Sequence, residues 1–167
     1  MMEQNKKPLT PWWVFALIAV LLVLFFITVF GGTAISRSKP NSVRVENPID
    51  IEYSGCHIKA INYEITGGSD PRLYLYYKFE NNNDNGTTYV FKDLIYQTAY
   101  QDNVQLESFN VNSDYGDDAY ATIRPSASIT VCTGFKLRNV YSDVEITMRT
   151  FNWIFNEDLA QMVFHLS

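Results

Sequence analysis

The sequence holds only two cysteines, two histidines and thirteen lysines and arginines among 167 residues. Each shortage excludes a class of chemistry. Zinc sites of the usual kinds draw on clusters of Cys and His at short spacing, and two of each without a cluster are too few. Cys56 and His57 are neighbours, but adjacent strand residues point to opposite faces, so they cannot act as a thiolate–imidazole pair within one strand. The H-E-x-x-H, G-x-S-x-G and Gly-rich phosphate-loop patterns are absent, and the search for an active site ends without catalytic or cofactor-binding candidates. Basic residues are scarcest where a nucleic acid would need them. From Ile49 onward there are 16 acidic residues against 8 basic ones, a net of −8, while residues 1–48 carry +3. A domain so acidic lacks the basic face that neutralises phosphates.

Charge is missing altogether from one stretch. PWWVFALIAVLLVLFFITVF, residues 11–30, has no charged side chain. Twenty residues rising about 1.5 Å each span about 30 Å, the thickness of a bilayer core. Thr10 suits the N-cap, Pro11 the first helical position, and Gly31 and Gly32 the end. Trp12 and Trp13 suit the headgroup layer. The run is longer than a signal-peptide core and no A-x-A-like site follows it, which favours an uncleaved anchor. Flanking lysines and arginines nearly balance. The ten-residue N-terminal tail is too small to fold, and a long acidic domain translocates regardless of flanking charge. The expected order is a cytoplasmic tail (1–10), a transmembrane helix (11–31), a polar linker (32–48) and an extracellular domain (49–167).

That domain shows no sustained helical period. Short alternating runs between turn-forming segments dominate, the pattern of an all-β fold. RLYLYYKFE is the clearest: Leu73, Leu75, Tyr77 and Phe79 share one face, and Tyr74 and Tyr76 share the other. CHIKAINYEI, TTYVFKDLIYQTAY, NVQLESF, AYATI, SITVCTGFKL, DVEITMR and QMVFHL are further strands. Seven or eight strands predict a β-sandwich, with an up-and-down barrel as the alternative. FENNNDNGTTY reads as the turn of a hairpin, because Asn-Gly favours positive φ.

YYKFENNNDN, AYQDNVQLE, IRPSASITVCTGFKL and SDVEITM, in that order, resemble a family of uncharacterised bacterial domains with a telokin-like immunoglobulin fold. These domains occur on surface proteins, mostly of Gram-positive bacteria. The resemblance covers roughly residues 50–167. It implies an immunoglobulin-like sandwich and a surface location, and no reaction, cofactor or catalytic residue. The family's Pro-led turn usually continues with Gly, whereas Ser126 follows Pro125 here, which predicts an altered turn. A transmembrane helix stands where many members carry a lipid-modified Cys.

Three features remain as candidates. Cys56 and Cys132, 76 residues apart, are positioned in sequence for an inter-sheet disulfide of about 4–5 kcal/mol. Parity opposes it: Cys132 falls opposite Ile129, Val131 and Phe135, while Cys56 shares the inward face of Ile58. The bridge and two separate thiols both stay open. The acidic loop SDYGDD and Asp84 among its asparagines lack the spacing of a calcium loop and read as solvated turns. Tyr74 and Tyr76 form either a partner-binding face or an aromatic cross-strand packing. The expected function is a membrane-anchored binding module of the bacterial envelope, without catalysis, held by the lipid bilayer and meeting a protein or glycan outside. The alternatives are a structural subunit of a membrane complex or an enzyme acting on envelope polymers.

Overall fold

A computed structural model describes residues 39–111, 119–151 and 157–167. The expected membrane helix, with Trp12 and Trp13, and the whole SDYGDD loop lie outside these residues. No helix among the described residues is long and apolar enough to cross a membrane. The domain is all-β. Its strands are β1 (Val43–Glu46), β2 (Asp50–Tyr53), β3 (Cys56–Thr66), β4 (Arg72–Asn81), β5 (Tyr89–Val90) and, after a single helical turn α1 (Phe91–Leu94), β6 (Ile95–Gln101). They continue with β7 (Val104–Gln105), β8 (Ser108–Phe109), β9 (Thr122–Ile123), β10 (Ser128–Lys136), β11 (Val144–Thr150) and β12 (Asp158–Leu166).

One antiparallel sheet has the order β1-β12-β11-β6-β7 and a second the order β2-β3-β4-β10-β8; β5 and β9 form a small third pair. Inward residues of both large sheets join one hydrophobic cluster, an arrangement compatible with a β-sandwich. β4 supplies Leu73, Leu75, Tyr77 and Phe79, each 1% exposed or less. Phe91 packs against two of them, stacked on Tyr77 at 5.8 Å and edge-on to Phe79 at 5.5 Å. Tyr63 on β3 meets Phe164 on β12 across the sheets, with ring centroids 5.2 Å apart. Burying such rings, at about 150–250 Å² each, makes them the main apolar contribution to the core.

β3 shows how the chain keeps its apolar residues inside when its sequence loses alternation. Cys56 and Ile58 are buried in the core, and so is Ile65, although it differs from them in parity; Tyr63, on the face of Ile65, stays exposed but reaches Phe164. The pairing with β4 shifts between Ala60 and Asn62, leaving Ile61 as an extra, exposed residue. One inserted residue reverses which positions point inward.

Three expectations need correction. The segment assigned as linker contains β1, whose Val43 pairs with Leu166 and whose Glu46 pairs with Val163, so the domain begins before residue 49. NVQLESF is not one strand: β7 belongs to the first sheet and β8 to the second, with Leu106 and Glu107 making the crossing. The Asn-rich stretch is not a hairpin turn. β4 lies between β3 and β10, while the strand that follows the stretch, β5, pairs with β9. Gly86 does take positive φ (82°) as Asn-Gly suggests, but the stretch carries the chain away from the second sheet.

Candidate functional site

The most distinctive polar chemistry lies between the sheets, beside α1. On β6 the inward positions are Ile95, Gln97, Ala99 and Gln101; on β10 they include Val131, Thr133 and Phe135. Gln97 and Thr133 therefore stand in the core, 9% and 5% exposed, close to the hydroxyl of Tyr77. Burial pushes that phenol well above its usual pKa, a shift that Gln97 and Thr133 reduce only in part. None of the three completes a well-formed hydrogen bond: both amide atoms of Gln97, Thr133 Oγ and the Tyr77 hydroxyl are buried without one. Such groups each cost about 1–3 kcal/mol unless matched.

These residues border open space. A cleft of about 320 Å³ is lined by Gln97, Thr133, Lys92, Phe109, Tyr120 and Phe151 among others. A neighbouring recess of about 240 Å³ shares Lys92, Phe109, Tyr120 and Thr133 with it. Lys92 is half-buried, and desolvation lowers its ammonium pKa. None of the ion pairs among the described residues includes it. The cleft thus offers one cation and aromatic walls, with Gln97 and Thr133 buried behind them.

The sequence singled out none of Lys92, Gln97 or Thr133. A signal was present for two of them. Each is a polar residue at a core parity position of an otherwise apolar strand. The burial of Lys92 depends on what packs around α1 and leaves no local mark.

The residues that were singled out lie elsewhere. Cys56 pairs opposite Asn81 and Cys132 opposite Tyr76, on strands flanking β4 from either side. Those partners are five positions apart along β4, about 17 Å at strand rise, far beyond disulfide reach. Both thiols are free and buried, each pushed up to about 11, chiefly by desolvation. Neither is a ready thiolate. Tyr74 does not have the exposed position a partner face requires. It is 7% exposed because Phe109 of β8 lies edge-on to it at 5.5 Å. Gly134, between them in the sheet, has no side chain to lift that ring, and Arg72 caps it at 5.0 Å. Tyr76 is half-buried and engages the Cys132 thiol. Cross-strand packing thus occupies the tyrosine face.

In the Asn-rich stretch the amides are engaged with the backbone. Asn81 is fully buried; its Nδ2 donates to Thr87 O at 2.8 Å and its Oδ1 accepts from Asn83 N at 3.1 Å. Asn85 Oδ1 accepts from Thr87 N at 3.0 Å. These are turn-forming bonds.

The two histidines share an environment that nothing in their sequence context announces. His57 lies between Asp50 (2.6 Å) and Glu80 (3.1 Å). His165 lies between Asp143 (2.8 Å) and Glu46 (3.0 Å). A neutral imidazole has one N–H and cannot donate to two carboxylates, so each site selects imidazolium. Both pKa values are raised, by Asp50 then Glu80 for His57, and by Glu46 then Asp143 for His165.

The described residues form an all-β domain with a cleft beside α1. The family model described as domain of unknown function DUF5067 matches residues 34–150, and the chain belongs to that family. The matched residues include β1 and stop short of β12, which the structure nevertheless places between β1 and β11. Comparison with curated proteins finds no match. Among solved structures, the chain is similar to YcdA of Bacillus subtilis, provisionally assigned as a lipoprotein. The identity is 12% and the TM-score 0.49, over 73% of this chain and 39% of that one. The chain thus spans about two fifths of YcdA. It is also similar to a functionally unknown protein of Listeria monocytogenes, at 9% identity and TM-score 0.48, over 78% of this chain and 93% of that one.

Proposed function

We propose that the protein is a single-pass membrane protein that presents a telokin-like immunoglobulin sandwich outside a bacterial cell, where it binds a component of the envelope without transforming it. The observation that carries the binding reading is the cleft beside α1, walled by Lys92, Phe109, Tyr120 and Phe151. The apolar run 11–30 and the −8 charge beyond it support the anchor and its orientation.

Two measurements test this reading. Protease added to intact cells is expected to remove a C-terminal epitope and spare an N-terminal one; the reverse pattern overturns the orientation. Full-length protein in nanodiscs is expected to retain an envelope polymer or protein that a Lys92→Met variant releases. Binding that ignores the substitution overturns the cleft as the binding site.

A further inference from the structure

Edge strands carry unpaired backbone groups, and most edges of this domain are blunted. β7 and β8 are two residues long, β1 carries Arg44 and Glu46, and β2 carries Asp50 and Glu52. β3 differs. β2 pairs with residues 56–59 only, and Ala60 N adds one bond to Ile49 O at 2.8 Å. Along residues 61–66, no strand among the described residues flanks β3 on the side away from β4. Six residues at about 3.3 Å each leave about 20 Å of edge, with alternate N–H and C=O groups pointing away from β4. The bulge at Ile61 blunts only its start, because pairing with β4 is regular from Asn62 onward.

The side chains beside this edge are uncovered too. Tyr63 reaches the first sheet yet is 36% exposed, and Ile61 is 48% exposed. Phe164, which meets Tyr63, has Val45 of β1 as its cross-strand partner. One strand farther out, the first sheet thus continues with β1, whereas the second ends at β3. Val43 and Val45 pack against the core and are only half-buried. Along this flank the second sheet is one strand short of the first.

We propose that residues 61–66 of β3 receive an extended segment of a partner protein whose side chains alternate apolar and basic. The mode is strand addition, in which main-chain bonds hold the segment and alternate side chains select it. Its apolar side chains cover Tyr63 and Val45. Those on its other face meet Asn62 and Glu64, both exposed. Glu64 is the one charged residue in the stretch and belongs to no ion pair among the described residues. A basic side chain opposite it makes a favourable cross-strand pair. A second copy of the chain fits worse, because it brings a second Glu64 and another domain of net −8. The edge shares no residue with the cleft beside α1 and does not rest on that reading.

The test follows hydrogen exchange of full-length protein in nanodiscs with three blocked heptapeptides: lysine alternating with valine, lysine alternating with serine, and glutamate alternating with valine. The lysine–valine peptide is expected to slow exchange at residues 61–66 saturably, with the lysine–serine peptide weaker by roughly tenfold or more and the glutamate–valine peptide without effect. Glu64→Lys is expected to weaken the lysine–valine peptide by roughly threefold or more and to admit the glutamate–valine peptide. Equal binding of the lysine–valine and lysine–serine peptides would be general attraction to an acidic domain and overturns the proposal. Protection confined to other residues, no protection at all, or lysine–valine binding undiminished in Glu64→Lys overturns it too. A dimer of the chain that protects residues 61–66 without peptide gives the edge to a second copy and overturns it as well.

Discussion

Gln97 and Gln101 lie on the same face of β6, one helical-turn's count apart in sequence, and hold opposite hydrogen-bond states. Gln101 is 1% exposed and closes the loop after β10 with bonds to three consecutive or nearby residues, Arg138, Asn139 and Ser142. Gln97 is nearly as buried and stands beside the Tyr77 hydroxyl without a well-formed bond. Substitution separates the two. Gln101→Leu strands several backbone groups and is expected to cost about 3 kcal/mol or more, at roughly 1–3 kcal/mol per orphaned group. Gln97→Leu removes unmatched atoms and is expected to be neutral or stabilising. Urea unfolding of both variants decides the matter, and equal losses would contradict the difference described.

The paired carboxylates around each histidine make stability depend on pH with a definite sign. Both imidazole pKa values are raised on folding. Their contribution is complete below the unfolded value of about 6.5 and is lost as pH rises through the higher folded value. Asp50 and Glu80 are lowered, the first mainly by Lys59 and the second mainly by Lys78, each with His57 next. Their contribution is present above the ordinary carboxylate range and lost as pH falls through the lower folded values. The urea midpoint is therefore expected to fall as pH rises from about 6.5 through the raised folded values, with the slope reduced in a His57→Gln/His165→Gln variant. An unchanged slope in that variant would exclude the histidines as its source.

Phe109 rests on Gly134. A methyl group added at Gly134 would fall well inside contact distance of the ring carbons of Phe109. Gly134→Ala is expected to lift Phe109 from Tyr74 and Arg72 and to cost about 1–3 kcal/mol, the usual range for overpacking. Thermal unfolding measures the loss. Increased tyrosine exposure by second-derivative absorbance would accompany it, and an unaltered spectrum would contradict the mechanism.

Ser126 holds φ at 61°, a left-handed conformation that side chains disfavour. The strain is held by Ser126 N donating to Asn81 O at 2.7 Å and Asn81 N donating to Ala127 O at 2.9 Å. Ser126→Gly is expected to stabilise by about 0.5–1 kcal/mol, the relief being offset in part by glycine's greater freedom when unfolded. Asn81→Ala, which removes the bonds to Thr87 and Asn83, is expected to destabilise by about 1–3 kcal/mol. Chemical denaturation of the two variants checks both signs.

Much of this architecture was legible in the residue pattern, for identifiable reasons. β4 and β11 place an apolar residue at every second position, and β10 does so from Ile129 to Phe135 except at Thr133. The Pro-led turn was legible in position, and Ser126 within it takes a left-handed φ of 61°. What escaped was decided by tertiary pairing. VRVE is too short to announce itself as β1 without β12 beside it. Asn85-Gly86 marks a bend but says nothing about which strand the next segment will join. The cleft escaped because a glutamine or threonine at a core position reads as a lapse in the apolar pattern. Only the tertiary packing shows that it stands beside a cleft and the Tyr77 hydroxyl.

The pairing of β1 with β12 also decides how the domain carries mechanical load. The N-terminal segment reaches the domain at Ser42, which exchanges backbone bonds with Ser167 at 2.9 and 3.2 Å. Beyond it the ladder runs from Val43–Leu166 to Glu46–Val163. Tension applied at Ser42 against a handle on Gln105, at the opposite edge of the same sheet, runs across the ladders. The rungs then open in succession, beginning at the tether, and the His165–Glu46 contact is among the last to part. Single-molecule pulling is expected to show an early, low-force step for β1 before the core yields. One high-force rupture would mean that the rungs share the load.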